Sequence, residues 1–237
     1  MKLTIVQTGA VPAPLQPYFE AYPLMFRRMF DQTGRAFSYD DVNVEQGEAL
    51  PDPAELEGIV ITGSPAGVYE DHAWLPPLRD FIRSAYAAGT PMVGICFGHQ
   101  IMADALGGVV QKSEKGWGLG RHEYRVHQRP AFMADAPESF AVACSHQDQV
   151  LIPPPDADVI LGSDFTPNAG LLYRSGRALS FQPHPEFEDD YAMALVELRR
   201  GRADDKVIDA AIASFGRASD SRRLSDYIAG FMYESVQ

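Results

Sequence analysis

The sequence predicts an open α/β fold, a mostly parallel sheet with helices on both faces and antiparallel additions. Three observations carry this. Apolar runs alternate with helical patterns through the first half, short strands follow one another between Gly107 and Gln182, and helical pattern returns after Glu188. Strand–helix alternation favours a parallel sheet, because each crossover helix packs back on one of its faces.

In chain order, Leu3–Val6 reads as a short buried strand closed by Thr8-Gly9. Tyr18–Phe30 carries Phe19, Tyr22, Met25, Phe26, Met29 and Phe30 at helical spacing, with Pro23 marking a start or kink and Gly34 a stop. Ala36–Val44 alternates like a strand, and Gly58–Thr62 is an apolar β-branched run ending at Gly63-Ser64-Pro65. Leu75–Ala88 is a helix stopped by Gly89. Met92–Ile95 is a strand leading into Cys96, and Gly98–Leu106 continues as helix. The second half offers strands at Gly108–Lys112, Arg121–Val126, Ser139–Cys144, Val159–Ser163, Gly170–Tyr173 and Ala178–Phe181. Helices are expected at Tyr191–Arg199, Ala203–Phe215 and Ser225–Met232. No repeat or linker divides the chain, so residues 1–237 read as a single domain.

Bulk composition narrows the function classes. The 237 residues are 46% hydrophobic and 22% charged, enough to build a core. Twenty basic against thirty-two acidic residues give a net charge of −12, which argues against nucleic-acid binding. No run approaches the roughly 20 apolar residues of a membrane-spanning helix, so no membrane partner is expected. The N-terminal MKLTIVQTGA reads as a first strand rather than a leader. Two cysteines, Cys96 and Cys144, do not make a disulfide scaffold, and a cytoplasmic location is expected.

The strongest local signal is Gly94-Ile95-Cys96-Phe97-Gly98, a strand turning at once into a helix. A nucleophile on such a strained turn projects into the crevice at the C-terminal ends of the strands, and small residues two positions away on each side make room for it. The helix N-terminus favours negative charge on the sulfur, and the turn aims backbone N–H groups where an oxyanion would form. A buried structural cysteine between two glycines is the competing reading. Downstream, Gln182-Pro183-His184-Pro185-Glu186 follows the strand Ala178–Phe181, and its residues two apart share a side, so His184 and Glu186 can meet. A carboxylate beside imidazole completes a nucleophilic triad, although HPE alone is equally a surface loop. Gly63-Ser64-Pro65 offers N–H groups for an oxyanion hole shared with Phe97, or is an ordinary strand–helix loop.

Taken together, Cys96-Phe97-Gly98-His99-Gln100, His184 with Glu186 downstream and the Gly63-Ser64-Pro65 turn upstream resemble the class I, triad-type glutamine amidotransferases. The likeness spans roughly residues 40–190 and extends to small GMP-synthase-like amidotransferases and plant γ-glutamyl peptidases. Cys144-Ser145-His146-Gln147-Asp148 resembles the Ser-His-x-Asp element of the family. The resemblance implies a flavodoxin-like fold, Cys96 as nucleophile, His184 as general base and acid, and Glu186 as its partner. It implies Gly63 and Phe97 as oxyanion donors, and Gln100, Ser145 and His146 as binding the amino-acid end of a small γ-glutamyl substrate. No cofactor is implied. Ser64 and Gln147 depart from the family's usual Gly-Gly-Pro and Ser-His-Gly-Asp, which puts the identity of the substrate in question more than the chemistry.

Three functions follow from the resemblance: a glutaminase supplying ammonia to a separate synthase, an independent γ-glutamyl hydrolase, or a non-catalytic binding module. The intact Cys96, His184 and Glu186 set argues against the third. The six histidines show no zinc spacing and no metal site is expected. His99 reads as surface or helix packing, and Cys144 as a small buried group. Gly116-Trp117-Gly118-Leu119-Gly120 reads as a turn between strands, with Trp117 as a pocket wall. Val68–His72 is a solvated loop or a border of the site. Arg199-Arg200 and Arg222-Arg223 read as solvated helix charges.

Overall fold

The computed structural model describes residues 1–235. Its strands are β1 (Lys2–Gln7), β2 (Ser38–Asn43), β3 (Gly58–Ile61), β4 (Met92–Ile95), β5 (Val109–Lys112), β6 (Gly118–Val126), β7 (Ser139–His146), β8 (Asp148–Ile152), β9 (Ala157–Gly162), β10 (Gly170–Tyr173) and β11 (Ala178–Phe181). Its helices are α1 (Tyr22–Gln32), α2 (Leu75–Ala88), α3 (Phe97–Ala105), α4 (Asp189–Glu197), α5 (Asp205–Ser214) and α6 (Ser221–Glu234).

Nine strands form one sheet in the order β2-β1-β3-β4-β11-β10-β9-β6-β7. The first five run parallel, and the remaining four extend the sheet antiparallel. β5 and β8 form a separate antiparallel pair. Side chains alternate between two faces, as the pleat requires. Leu3 and Ile5 of β1, Val60 of β3, Val93 and Ile95 of β4 and Phe181 of β11 point into one core with α1 and α6. Val6, Ile59, Ile61, Met92 and Ala178 point into the other, with α2 and α3. A strand buried on both faces reads as a continuous apolar run, which is why GIVI and MVGI carry no polar alternation.

The expected helix at Tyr18–Phe30 begins four residues later, at Tyr22, because Pro23 is tolerated only in a first turn. β8 was not anticipated: it starts at Asp148, with only Gln147 between it and β7, and leaves Leu151 and Ile152 exposed. The Trp117 segment is only in part a turn, since β6 already begins at Gly118. A side chain at Gly120 would meet Ala211 of α5 at 2.6 Å, so glycine there lets the helix lie on the strand.

β3, β4 and β11 are neighbours and all end on the same side of the sheet. Adjacent strands lie about 4.8 Å apart, so the loops leaving these three strands converge on one spot.

Candidate active site

Cys96 sits where β4 turns into α3, at φ 54° and ψ −103°. Among the described residues it is the only non-glycine with a positive φ. Such backbone costs on the order of 1–3 kcal/mol and persists only where its surroundings enforce it. Here the enforcement is visible. The Cys96 N–H donates to the Phe181 carbonyl at 2.8 Å, and the Gly98 N–H donates to the Thr62 carbonyl at 3.1 Å, tying the turn to both neighbouring strands. A Cβ at Gly94 would lie 2.5 Å from the Gly98 backbone, and one at Gly98 would lie 2.2 Å from the Ile61 oxygen. Both glycines are therefore demanded by close packing around the turn.

From β11 the chain passes Gln182-Pro183 to His184, whose N–H donates to the Ala143 carbonyl at 2.8 Å. The His184 Nδ1 lies 2.7 Å from Glu186 Oε1, with both side chains buried. The other carboxylate oxygen, Glu186 Oε2, has no partner among the described residues. Phe187 lies flat against the imidazole, with ring centroids 3.9 Å apart and planes 6° apart, and is braced edge-on by Tyr191. Burial alone would lower the pKa of His184, but the negative charges of Cys96 and Glu186 outweigh it and raise it from 6.5 to about 10. This environment favours the charged form of the ring.

From β3, Thr62 and Gly63 enter the same spot. The Thr8 hydroxyl bonds the carbonyls of Thr62 and Gly63 at 3.0 and 3.2 Å, fixing the loop from β1. A Cβ at Gly63 would stand 3.2 Å from His184 Cε1 and 3.7 Å from Cys96 Cβ, so one point touches both side chains. The N–H groups of Gly63 and Phe97 are taken up by no acceptor among the described residues. Cys96, the His184–Glu186 pair and the N–H groups of Gly63 and Phe97 are therefore brought together.

Two cavities meet at Cys96. The smaller, about 130 Å³, is lined by Gln100, Ser145 and His146, as well as by Glu70, Lys112, Trp117, Asp148 and Arg199. Gln100 Nε2 is already engaged, donating to the Asp148 carbonyl at 2.9 Å and to Gln182 Oε1 at 3.1 Å. His146 Nδ1 faces the Asp148 carbonyl at 3.0 Å, and burial lowers its pKa to about 3, so the ring is neutral. These two side chains shape the wall. The Ser145 hydroxyl has no partner among the described residues. Tyr69 reaches Asp148 Oδ1 at 3.2 Å, which places the 68–72 segment at the mouth. The larger cavity, about 310 Å³, adjoins it at Ser64, Pro65, Cys96, Ser145 and Arg199, and is lined besides by Gly63, His184 and Phe187.

Two sequence readings change and one is resolved. Arg199 is not a solvated charge: it is half-buried, stacks over Trp117 at 4.6 Å and lines both cavities. Its spacing from Leu195 and Val196 continues the apolar side of α4 into the turn just past Glu197, a signal present in the sequence. His99, read as surface or helix packing, is fully buried, so packing is the alternative that holds. It bonds the Ser180 hydroxyl at 2.8 Å, and burial lowers its pKa to about 3. Lys112 was read only as the end of a strand, yet it lines the smaller cavity. Cys144 is buried as expected, and burial pushes its thiol up to about 12, which leaves it inert at neutral pH. Among the described residues there is no cluster of three or more metal-type ligands, and no helix is long and apolar enough to cross a membrane.

Residues 26–193 match the model of the class-I glutamine amidotransferases, and the chain belongs to that family. It is 36% identical to a GMP synthase (glutamine-hydrolyzing) of Aquifex aeolicus over 129 residues, covering 54% of this chain and 24% of that protein. It is 30% identical to gamma-glutamyl peptidase 2 of Arabidopsis thaliana over 149 residues, covering 62% and 60%. The chain thus spans a quarter of the first relative and under two thirds of the second. A crystal structure of a glutamine amidotransferase from Thermotoga maritima superposes with a TM-score of 0.77 at 21% identity, over 99% of this chain and 98% of that one.

Proposed function

We propose that the protein is a cysteine-dependent amidohydrolase that cleaves the γ-amide of glutamine or a γ-glutamyl compound through a γ-glutamyl thioester. The observation that carries this reading is the buried His184–Glu186 pair, 2.7 Å apart, beside a cysteine held at positive φ.

The charged groups of the smaller cavity suit an amino-acid head. Glu70 and Asp148 offer carboxylates to its ammonium, while Lys112 and Arg199 offer cations to its carboxylate. Ser145 supplies a free hydroxyl, and Gln100 and His146 hold the wall. With the head seated there, the γ-carbonyl reaches Cys96. The sulfur attacks that carbonyl carbon, and the oxygen takes up negative charge facing the N–H groups of Gly63 and Phe97. As the C–N bond breaks, His184 gives its proton to the departing nitrogen, leaving a thioester and a neutral imidazole. Water, deprotonated by His184, then attacks the thioester. Glutamate leaves, and both the sulfur's charge and the imidazolium are restored. Glu186 holds the ring with Nδ1 protonated and stabilises its charged form throughout. The cycle needs no cofactor or metal.

The substrate is a small molecule. When it is glutamine, the product is ammonia, for which a separate synthase subunit is the partner; the likeness to part of a GMP synthase supports this. The likeness to a gamma-glutamyl peptidase supports turnover by the chain alone. Residues 1–237 act as a single domain, and a thiol nucleophile suits the reducing cytoplasm. The test is a panel of glutamine and γ-glutamyl amides assayed with wild type and Cys96→Ser. Release of amine by wild type, lost in the variant, is expected; equal activity in the two removes Cys96 from the reaction.

A further inference from the structure

The two cavities at Cys96 differ in chemistry, and the difference bears on which amide is cleaved. His184 lines only the larger one, and its proton goes to the leaving nitrogen, so the leaving amine departs into that cavity. Ammonia, the size of a water molecule, fills about 30 Å³. The cavity on the His184 side holds about 310 Å³ and is walled by Tyr22, Phe187, Leu195 and Leu198. Apolar walls of this extent offer ammonia nothing, whereas they remove an aliphatic or aromatic side chain from water.

A second observation specifies the polar part of the leaving group. Arg199 and Arg202 both line the larger cavity. The chain carries 32 acidic residues against 20 basic ones. Their neighbour Arg200 is held by Glu197, Asp205 and Asp209. Arg199 and Arg202 form no ion pair among the described residues, and the buried Nε of Arg199 has no hydrogen-bond partner there. Two guanidinium groups left unpaired beside an apolar cavity, in a strongly acidic chain, suit a carboxylate carried by the ligand.

We propose that the larger cavity is a leaving-amine subsite for an apolar amino acid, so that the preferred substrate is a γ-glutamyl amide of such an amino acid rather than glutamine. Arg202, which lines this cavity alone, reads the carboxylate of the leaving amino acid, and Arg199 spans both halves of the substrate. The inference rests on the hydrolase reading above. Its chemistry is the same: the C–S bond forms first, the C–N bond of the γ-amide then breaks as His184 protonates the departing amino nitrogen, and water hydrolyses the thioester to glutamate.

The test compares kcat/KM of the isolated full chain for four substrates: glutamine, γ-glutamylglycine, γ-glutamylphenylalanine and γ-glutamylphenethylamide, which keeps the ring but lacks the carboxylate. The expected order places γ-glutamylphenylalanine first, at least about 100-fold above glutamine and about tenfold above both γ-glutamylglycine and the phenethylamide. In Arg202→Ala the preference for γ-glutamylphenylalanine over the phenethylamide falls about tenfold, and Arg202→Lys restores part of it. Arg202 is exposed, so neither variant endangers folding. Glutamine cleaved as well as or better than γ-glutamylphenylalanine overturns the subsite and leaves the hydrolase reading standing. An unchanged ratio in Arg202→Ala overturns the role of that arginine. Failure to cleave any of the four, with no acylation of Cys96, overturns both readings.

Discussion

Replacing Glu186 by glutamine tests the acid–base pair with almost no change of shape. Both Glu186 and His184 are buried, and their contact is 2.7 Å. A hydrogen bond to a charged group is worth about 1.5–3 kcal/mol, and one pKa unit corresponds to about 1.4 kcal/mol. Losing the carboxylate should therefore lower the pKa of His184 by roughly one to two units from its present value of about 10. The larger effect is on the tautomer. In the neutral ring left after acylation, an amide can turn its NH2 toward Nδ1, which moves the remaining proton to Nε2 and leaves no lone pair there to deprotonate the attacking water. In a catalytic triad, neutralising the acid costs about 10⁴ in kcat, so Glu186→Gln should lose about 10³–10⁴. The assay is steady-state kinetics from pH 6 to pH 10.5 on a γ-glutamyl amide, with iodoacetamide alkylation of Cys96 followed in parallel. The alkaline limb of the kinetic profile should move down by one to two units, while alkylation, which needs only the thiolate, should persist at high pH and show that Cys96 is still accessible. A variant that keeps more than a tenth of wild-type kcat with an unmoved limb refutes the pairing.

Gly98→Ala would place a methyl 2.2 Å from the Ile61 oxygen and force α3 away from β3; a loss of about 1–3 kcal/mol in urea unfolding is expected. The exposed control Gly216→Ala, whose nearest atom is 3.4 Å away, should stay within about 0.5 kcal/mol. Phe187→Leu removes the ring stacked on His184, worth about 0.5–1.5 kcal/mol, and should lower kcat three- to tenfold at similar KM, while Phe187→Tyr keeps it; equal kcat in all three would deny the stack a positioning role. His99 and His146 titrate near 3 when folded and near 6.5 when unfolded, so the unfolded chain binds more protons between those values. Stability is therefore full above pH 6.5 and falls as pH drops, by up to about 1.4 kcal/mol per unit for each histidine. Urea midpoints at pH 7, 6, 5 and 4 should show this slope, reduced in His99→Gln; an identical slope in the two proteins would contradict the account.

How much of this was legible in the sequence depends on whether a residue's role is local. Leu75–Ala88 and Met92–Ile95 were placed to the residue, because apolar spacing and Gly89 bound the helix, and a short apolar run between Pro91 and Cys96 bounds the strand. The elbow was legible for the same reason: Gly94 and Gly98 record a close approach that only two small residues allow. β8 was missed because it is half exposed and only Gln147 separates it from β7, and α1 was begun early because aromatic residues before Pro23 continue its period. The spacing of Arg199 showed only that it turns toward the core, and Lys112 gave no signal; their place in the site lies in contacts to Trp117 and to a cavity assembled from distant segments. The strand order that sets β3, β4 and β11 side by side likewise resides in pairing across long separations, which no local pattern encodes.

The central claim is that the sulfur at position 96 carries the acyl group and passes it to water with help from His184. Acid quench during turnover of a γ-glutamyl amide, followed by peptide mass spectrometry, examines this directly. A γ-glutamyl adduct on the peptide holding Cys96, accumulating early and absent in Cys96→Ser, is the result expected. An adduct on Cys144, or turnover that continues in Cys96→Ser, would contradict it.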